Sequence, residues 1–438
     1  MADSPSMAIS VIPDEPVNYN INNLTDSLLI EILVRVPTCE SAHQCKCVCK
    51  RWLSLISDAY FRSRFIDRHK GVSGLGHARE AVTFLHQFRY FAYHDVKPDP
   101  SVTITSHPVH TKLDAITDHS VLLSRTSFEL DFLPFGDTAD IVASSQDLVV
   151  AYDRWLSFEL LQKSLGTTFC ICNLVTKKWT ELPPAPSSYW NSGLVGLVTY
   201  EADPSETGVR DFKLHYKLVH MSNSDEFSAA VFSSETGEWS KLEVLSTTRF
   251  GVYEKYSTNS VTFRKKLHWI INKKSILTFD PFGCNNQCGF IDLPPLHEEG
   301  QSNETECLGV CEENLQVSQL VRVNGEHRVI IWDLKDYNAN EWCLKYNVRF
   351  SEMEFVSANR IDTQSRYGDI ARLLAFHPHE KAVLYLRYNN RILICNVQAR
   401  TLEVINQCSR SWNWHLNTEF DTIFTLVHPC WPSPLQPL

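Results

Sequence analysis

The strongest hydrophobic pattern in the chain lies near its beginning and has a helical period. Within residues 24–37, which read LTDSLLIEILVRVP, Leu28, Ile32 and Val36 recur at four-residue spacing. Leu29 and Leu33 fill the same stripe. Apolar residues at this spacing lie on one face of an amphipathic helix, so we predict a helix here.

The ends of this helix are also marked in the sequence. Thr25 or Asp26 can cap its N-terminus, because either side chain can accept a hydrogen bond from a main-chain N–H group. Pro37 ends it, because a proline pushes the preceding residue out of helical geometry. Thr38 can then cap a second, short helix over residues 39–47.

A third helical pattern runs through the cysteine-rich stretch CKCVCKRW at residues 45–52. The residues with the spacing of one helical face are Cys45, Val48 or Cys49, Trp52 and Ile56. Cys47 falls off that face, so we predict an apolar seam rather than a site that gathers three thiols. Asp58 can begin a further helical turn beyond it.

Short apolar strands that alternate with polar turns follow a glycine-rich linker after residue 70. The stretches at 168–186 and 229–245 each contain an apolar strand, a polar turn, Thr-x-x-Trp and a leucine three residues on. Looser copies extend the repeat to five anchor positions, which are Trp179, Trp239, Phe290, Trp342 and Val404. Successive anchors are 60, 51, 52 and 62 residues apart.

A repeat of about 50 residues made of short antiparallel strands is typical of a β-propeller blade. One blade cannot bury both faces of its sheet, so blades stack around an axis, and we expect the anchors to pack between blades. Five repeats are visible and residues 80–160 have room for one or two more, so we predict six or seven blades. A pair of β-sandwiches is the alternative.

Composition and charge agree with a globular chain and exclude some classes of partner. The 438 residues include 43% hydrophobic and 21% charged residues, and the formal net charge is −10. A surface that binds phosphates would be basic, so we expect no nucleic-acid partner, and the charge also argues against an anionic membrane. No apolar run reaches the roughly 20 residues of a membrane-spanning helix.

The first residues and the cysteines indicate the cellular compartment of the protein. Residues 1–20 have neither the basic start nor the apolar segment of a signal peptide, and their polar, proline-containing composition predicts disorder. The 14 cysteines are then expected to be free thiols in a reducing compartment. We therefore expect the protein in the cytoplasm, the nucleus or both.

No motif for metal binding or catalysis stands out. The pairs Cys284–Cys288 and Cys307–Cys311 are each one residue wider than the spacing of a zinc knuckle, so isolated thiols are favoured over structural zinc. No Gly-x-Ser-x-Gly, Walker or His-Glu-x-x-His motif is present. The sequence thus predicts no catalytic residue, no cofactor and no metal ligand.

Aromatic residues are the natural candidates for ligand contacts on the loops of a propeller. The candidates are Tyr189, Trp190, Tyr253, Tyr256, Tyr367, Trp412 and Trp414. Each is equally compatible with a place in a blade interior, so the sequence assigns no substrate-binding residue.

The helical stretch near the start resembles a plant F-box over residues 22–66. The Val-Cys-Lys-Arg-Trp sequence from Val48, set behind the leucine-rich helix, carries the resemblance, and Thr25 departs from it where the family has proline. The resemblance implies a small three-helix domain that docks on a Skp-family adaptor. It implies as adaptor-binding residues Leu24, Leu28, Leu29, Ile32, Leu33, Val36, Pro37, Val48, Cys49 and Trp52.

The strand-rich remainder resembles the plant F-box-associated, kelch-like propeller domain, although it lacks the double glycine of kelch repeats. The stretches ICNLVTKKWTELPPAP at 171–186 and VTFRKKLHWIINKKSILTFD at 261–280 carry this resemblance. We therefore divide the chain into a disordered N-terminus at 1–20, an F-box at 21–67, a linker at 68–79, a propeller at 80–428 and a Pro-rich C-terminal tail (the Pro-rich tail) at 429–438.

The two resemblances together imply a non-catalytic substrate receptor. The F-box would dock on the Skp adaptor, and through it on a cullin, while the propeller binds an unknown target protein for ubiquitination. One alternative is a small-molecule sensor or enzyme built on the propeller, with the helices as an appendage. Another is an F-box protein that acts outside a ubiquitin ligase.

Overall fold

The structure is a computed structural model in which the chain forms two compact units, residues 1–78 and residues 79–438. The residues that the structure describes are 21–37, 39–70, 81–89, 111–117, 132–135, 139–153, 167–174, 176–186, 193–201, 214–223, 227–243, 259–271, 274–283, 288–295, 302–311, 313–356, 371–378, 380–389, 391–407, 420–428, 431, 433 and 435.

The N-terminal unit is helical. After a short 3-10 turn at Ile21–Asn23 its helices are α1 (Asp26–Leu33), α2 (Cys39–Cys45), α3 (Lys50–Ser57) and α4 (Ala59–Lys70). The prediction of three helices is corrected to four among the described residues, because Asp58 has extended backbone and separates α3 from α4. The Asp58 carboxylate accepts a hydrogen bond from the Tyr60 N–H at 2.7 Å, which starts the fourth helix as the sequence suggested.

Helix α1 begins as predicted and ends earlier. Thr25 is its N-cap, and the Thr25 hydroxyl oxygen accepts a hydrogen bond from the Leu28 N–H at 3.5 Å. The last helical residue is Leu33, and the main chain then continues in turns whose N–H groups bond three residues back, from Val36 to Leu33. Pro37 therefore follows these tight turns and does not directly follow the last residue of the helix.

The prediction of one helix through residues 45–56 is wrong. Helix α2 ends at Cys45, residues 46–48 turn, and α3 starts at Lys50. Cys49 between them has φ −162° and ψ 168°, which is extended backbone that no helix contains. As a result Cys49 is exposed, so it does not join Trp52 in a buried seam.

The core of the N-terminal unit comes from all four helices and the turn after α1. Its buried apolar side chains are Leu29, Leu33, Val34, Ala42, Ile56, Phe61 and Phe65. Phe61 and Phe65 stack at 6.2 Å between ring centroids, and Phe65 stacks on His69 at 4.0 Å. A His69 ring nitrogen also lies 3.1 Å from the Val36 carbonyl oxygen, which ties α4 to the turn after α1.

The second unit consists of six sheets among its described residues, and their strands pair antiparallel with one exception at the edge of blade 5. Blade 1 contains β3 (Ala139–Ser145), β4 (Leu148–Asp153), β5 (Phe169–Asn173) and β6 (Lys178–Glu181), and blade 2 contains β7 (Leu194–Glu201), β8 (Leu214–Asn223), β9 (Phe227–Ser233) and β10 (Glu238–Glu243). Blade 3 contains β11 (Val261–Phe263), β12 (Lys266–Ile271), β13 (Ser275–Phe279) and β14 (Cys288–Asp292). Blade 4 contains β15 (Ser302–Cys311), β16 (Asn314–Val323), β17 (Glu326–Asp336) and β18 (Glu341–Arg349).

Blade 5 contains β20 (Ala371–Phe376), β21 (Val383–Tyr388), β22 (Arg391–Asn396) and β23 (Thr401–Gln407), and β19 (Glu354–Phe355) adds to its outer edge in parallel with β23. The remaining sheet, called the closing sheet, pairs β24 (Phe420–His428) with β1 (Ala81–Arg89), which in turn pairs with β2 (Thr111–Thr117). The closing sheet thus joins strands from the beginning and the end of this unit.

The innermost strands form a closed ring, so the unit is a β-propeller and the β-sandwich alternative is excluded. They lie side by side in the order β24, β3, β7, β11, β15, β20 and back to β24. The prediction of six or seven blades is corrected to five complete blades in the described part of the chain, with the three-stranded closing sheet in the remaining place. Residues 80–160 explain the difference, because they supply β1 and β2 to the closing sheet and β3 and β4 to blade 1.

All five predicted anchors lie on the outermost antiparallel strands, β6, β10, β14, β18 and β23. Trp239 in blade 2 donates its indole N–H to the Pro183 carbonyl beyond β6 of blade 1 at 2.7 Å. Trp342 in blade 4 donates to the Asp292 carbonyl at the end of blade 3 at 2.8 Å. For these two tryptophans the expectation that anchors pack between blades is confirmed.

No helix among the described residues is both long enough and apolar enough to cross a membrane.

The free energy of unfolding of the propeller is expected to fall by about 2 kcal/mol for each of two buried histidines, His268 and His220, when the pH drops from 7.5 to 5. Burial lowers the pKa of His268 to about 4, and burial does the same to His220. The unfolded chain therefore binds protons below its ordinary histidine pKa of about 6.5, while the folded state does not, so acid favours unfolding. Urea unfolding at the two pH values measures the loss.

His268→Gln separates this effect from other titrations. The His268 Nδ1–H donates to the Lys266 carbonyl at 3.1 Å, so the neutral ring accepts from the Tyr337 hydroxyl at Nε2 over 2.9 Å. Between pH 7.5 and pH 5, the free energy of unfolding of the variant is expected to fall by about 2 kcal/mol less than that of wild type. This difference is expected whatever the stability of the variant at pH 7.5. Parallel pH curves for the two proteins would contradict the assignment.

Candidate functional site

Large apolar side chains are exposed on the N-terminal unit. Leu28 is 54% exposed and Ile32, one helical turn later on α1, is 43% exposed. Val48, in the turn before α3, is 62% exposed. Single exposed apolar residues are ordinary, but several on a unit of about fifty residues indicate a surface that binds another protein.

The predicted adaptor-binding residues divide by burial into three groups. Leu28, Ile32, Pro37, Val48 and Cys49 are exposed, and Leu24, Val36 and Trp52 are half-buried. The remaining two, Leu29 and Leu33, are buried in the core of the unit. Eight of the ten predicted residues are therefore accessible to a partner.

Leu29 and Leu33 require a correction of the predicted contact surface. Both lie on the inner side of α1, with Leu29 fully buried and Leu33 nearly so. The five-residue apolar stripe read from the sequence is wider than the buried face, so its flank at Leu28 and Ile32 is exposed while its centre packs inward. Leu29 and Leu33 hold the helix in place, and the accessible stripe is the one that can meet a partner.

Three further exposed apolar residues were missed by the sequence reasoning. Ile21, Leu53 on α3 and Tyr60 on α4 each expose more than a third of their surface. Leu53 could have been found from spacing alone, because it lies off the stripe that joins Trp52 to Ile56. No comparable signal marks Ile21, which precedes the first helix.

Arg51 positions the start of α1. Its guanidinium donates two hydrogen bonds to one Asp26 carboxylate oxygen, at 2.8 Å from Nε and 2.6 Å from Nη2. It also donates to the main-chain carbonyl oxygens of Asn22 at 2.8 Å and Leu24 at 2.6 Å. The arginine of the Lys-Arg-Trp sequence thus fixes the segment that leads into the exposed stripe of α1.

Arg51→Met is expected to destabilise the N-terminal unit by about 1–2 kcal/mol, because it removes the charged hydrogen bonds of the guanidinium. The loss is no larger because solvent partly screens these bonds. Hydrogen exchange of the main-chain amides of α1 measures this loss within the full chain. Lys50→Met is the matched control, because Lys50 is exposed and its side chain makes no hydrogen bond or ion pair with the described residues. Exchange in Arg51→Met that matched the control would refute the role of Arg51.

The structure does not assemble the cysteines into a reactive or metal-binding group among the described residues. Cys284 lies outside them, Cys288 is on β14 of blade 3, and Cys307 and Cys311 are buried on β15 of blade 4. No group of three or more histidine, cysteine, aspartate or glutamate side chains within the described ranges is arranged to hold a metal ion.

Burial keeps several propeller thiols protonated at neutral pH. It raises the pKa of Cys288, Cys307 and Cys395 to about 12. Burial, with a smaller contribution from Glu181, does the same to Cys170. Since the thiolate is the reactive form, these cysteines act as small apolar side chains of the core.

The aromatic candidates for ligand binding on the propeller loops all fall outside the described residues. These are Tyr189, Trp190, Tyr253, Tyr256, Tyr367, Trp412 and Trp414. The sequence prediction for them therefore stays untested.

A helical unit with an exposed apolar surface, followed by a closed propeller, defines the class of F-box proteins with a β-propeller. The F-box domain model matches residues 21–64. The model described as "F-box protein At3g26010-like, beta-propeller" matches residues 132–425, which is more than half of the chain. The chain therefore belongs to this family of F-box proteins, and both resemblances found in the sequence are confirmed.

Similar proteins come from Arabidopsis thaliana. The F-box protein At1g49990 is 24% identical over 351 residues, which is 73% of this chain and 74% of the relative. The F-box protein At5g07610 is 24% identical over 395 residues, which is 82% of each chain. Among solved structures, apo AztD from Citrobacter koseri covers 80% of this chain and 98% of its own at 9% identity and a TM-score of 0.36, a similarity too low to support a conclusion.

Proposed function

We propose that this protein is the substrate-recognition subunit of a Skp–cullin–F-box ubiquitin ligase. The observation that carries the proposal is the exposed apolar surface of Leu28, Ile32 and Val48 on a unit that matches the F-box domain. A surface of this kind is stabilised when a partner covers it. The partner that the F-box implies is a Skp-family adaptor.

The propeller supplies the second half of the proposal. It forms a closed ring of sheets, and rigid rings of this kind present loops on which a target protein can bind. The protein itself then performs no covalent step. It raises the effective concentration of a target lysine next to a ubiquitin-conjugating enzyme that the cullin recruits.

The same proposal defines partners and location. The partners are the Skp-family adaptor, the cullin that it holds and an unidentified target protein, with no role for nucleic acid or membrane. The net charge of −10 supports the exclusion of nucleic acid. We place the assembly in the cytoplasm, the nucleus or both, where thiols stay reduced.

Thr25 does not prevent adaptor binding in this proposal, because its backbone already has the conformation that proline would adopt. Its φ is −65°, which equals the value that a proline ring imposes, and its ψ of 155° is extended. Thr25 lacks the rigid ring of proline, but its hydroxyl oxygen accepts a hydrogen bond from the Leu28 N–H and so caps the helix. The start of α1 is thereby held in the same geometry.

Co-elution of the purified full chain with a Skp-family adaptor bound to a cullin tests the function. Wild type is expected to co-elute in a one-to-one complex, and Thr25→Pro is expected to bind the same complex at least as tightly. An intact, folded wild-type chain that fails to bind the adaptor would refute the proposal. Loss of binding by Thr25→Pro alone would refute the account of residue 25.

A further inference from the structure

Two buried polar side chains in blade 1 form a small fixed network. Asp147 lies in the tight turn between β3 and β4, Asn173 ends β5, and both are fully buried. Asn173 Nδ2 donates to Asp147 Oδ2 at 2.6 Å. The amide oxygen of Asn173 is fixed as well, because Oδ1 accepts a hydrogen bond from the Thr176 N–H at 3.0 Å.

This network holds the main chain of a single residue in the Pro-rich tail. The Ser433 N–H donates to Asp147 Oδ2 at 2.8 Å, and the Ser433 carbonyl oxygen accepts from Asn173 Nδ2 at 3.1 Å. The Ser433 hydroxyl has no hydrogen-bond partner in the described part of the chain. Blade 1 therefore holds the amide and carbonyl of this position by hydrogen bonds, and Ser433 itself is buried.

The sequence around Ser433 makes this recognition selective. It reads Pro-Ser-Pro-Leu from Pro432, and proline has no N–H, so Ser433 supplies the sole main-chain donor of the three residues 432–434. The proline that follows favours an extended backbone at Ser433. Two residues on, Leu435 packs against the apolar cluster shared by blades 1 and 2, which includes Tyr152 and Leu218.

The network also has capacity that the Pro-rich tail does not use. Asp147 Oδ1 is buried and has no hydrogen-bond partner among the described residues. A buried carboxylate oxygen without a donor is costly, so the site can accept one more N–H group than its present occupant supplies.

We propose that Asp147 and Asn173, with the apolar cluster shared by blades 1 and 2, form a binding site for extended proline-rich peptides of the form Pro-x-Pro-Leu. Ser433 and Leu435 of the Pro-rich tail occupy it as an internal ligand, and a proline-rich segment of another protein competes for it. The tether gives the internal segment an effective concentration on the order of millimolar, so modest intrinsic affinity is enough to fill the site. Every residue in the site belongs to the propeller unit, so the proposal is independent of adaptor binding.

Titration with a labelled peptide of residues 431–438, WPSPLQPL, tests the site on the full chain. Ser433→Pro removes the N–H that Asp147 accepts and releases the internal segment, whereas Ser433→Ala keeps that N–H and serves as the matched control. The peptide is expected to bind Ser433→Pro at least tenfold more tightly than it binds wild type or Ser433→Ala. A peptide with proline in place of its serine is expected not to bind.

Equal peptide affinity for Ser433→Pro and Ser433→Ala, in folded chains, would overturn the proposal. If Ser433→Pro does not fold, a chain with a protease site inserted before Trp431 is folded first and then cleaved. Exchange of the cleaved segment with labelled peptide supports the site. Retention of the cleaved segment without exchange shows a permanent structural contact and would overturn it.

Discussion

Leu28→Asp is expected to lower the affinity for a Skp-family adaptor at least about 100-fold. Leu28 is 54% exposed on α1 and lies one helical turn from Ile32, so both can be covered by the same partner surface. An aspartate in that position would bring a charge into an apolar contact, which costs several kcal/mol when the charge is left unpaired. Each 1.4 kcal/mol corresponds to a factor of ten in the dissociation constant.

The folded state of the unit is expected to tolerate this change, because exposed positions contribute little to stability. Ala59→Asp is the matched control, since Ala59 is exposed on α4 and lies outside both the predicted adaptor-binding set and the exposed large apolar side chains. Isothermal titration of the adaptor into each full-length variant gives the affinities. If Leu28→Asp binds the adaptor with wild-type affinity, the docking surface does not include this part of α1. Equal losses of affinity in both variants would show that any exposed charge disturbs binding.

Trp269→Ala is expected to lower the free energy of unfolding of the propeller by about 3–5 kcal/mol. Trp269 on β12 of blade 3 is fully buried, and its indole N–H donates to the Val195 carbonyl on β7 of blade 2 at 3.1 Å. The substitution therefore leaves a cavity between two blades and an unpaired carbonyl. Gly196 lies against this indole in the wild type, where a Cβ would come within 2.7 Å of Trp269 Cζ2, and it has no side chain with which to fill the cavity.

Urea unfolding followed by far-ultraviolet circular dichroism measures this loss. Trp179→Ala is the matched control, because it deletes the same side chain from an outermost strand where 38% of the tryptophan is exposed. We expect the control to lose less than half as much stability. Similar losses for the two variants would show that burial between blades does not set the contribution of Trp269.

Much of the fold could be predicted because hydrophobic periodicity is a local property. The four-residue spacing at Leu28 and Ile32 predicted α1. The Thr-x-x-Trp repeat at Trp239 and its looser copy at Trp342 predicted tryptophans that pack between blades. In each case the residues that make the signal lie within one element or one hairpin. Their pattern therefore carries the information that the element needs.

The candidate site was only partly predictable, because exposure depends on how elements pack. The stripe on α1 contains both the buried Leu29 and the exposed Leu28, and spacing does not separate them. The break at Cys49 was missed for a related reason. The spacing from Cys45 to Ile56 fits a helix, but tertiary packing places the extended Cys49 between two helices.

The sequence by itself determined the two kinds of secondary structure, the division into a helical and a strand-rich unit, and the positions of the five anchors. Only the tertiary structure decided how the ring closes, with β24 paired to β1 so that Phe84 opposes Thr425. It also decided that Ser433 meets Asp147, 286 residues away in the sequence. Such contacts depend on the complementarity of distant surfaces, and a local pattern of apolar and polar residues carries no record of which distant strand or turn will complete it.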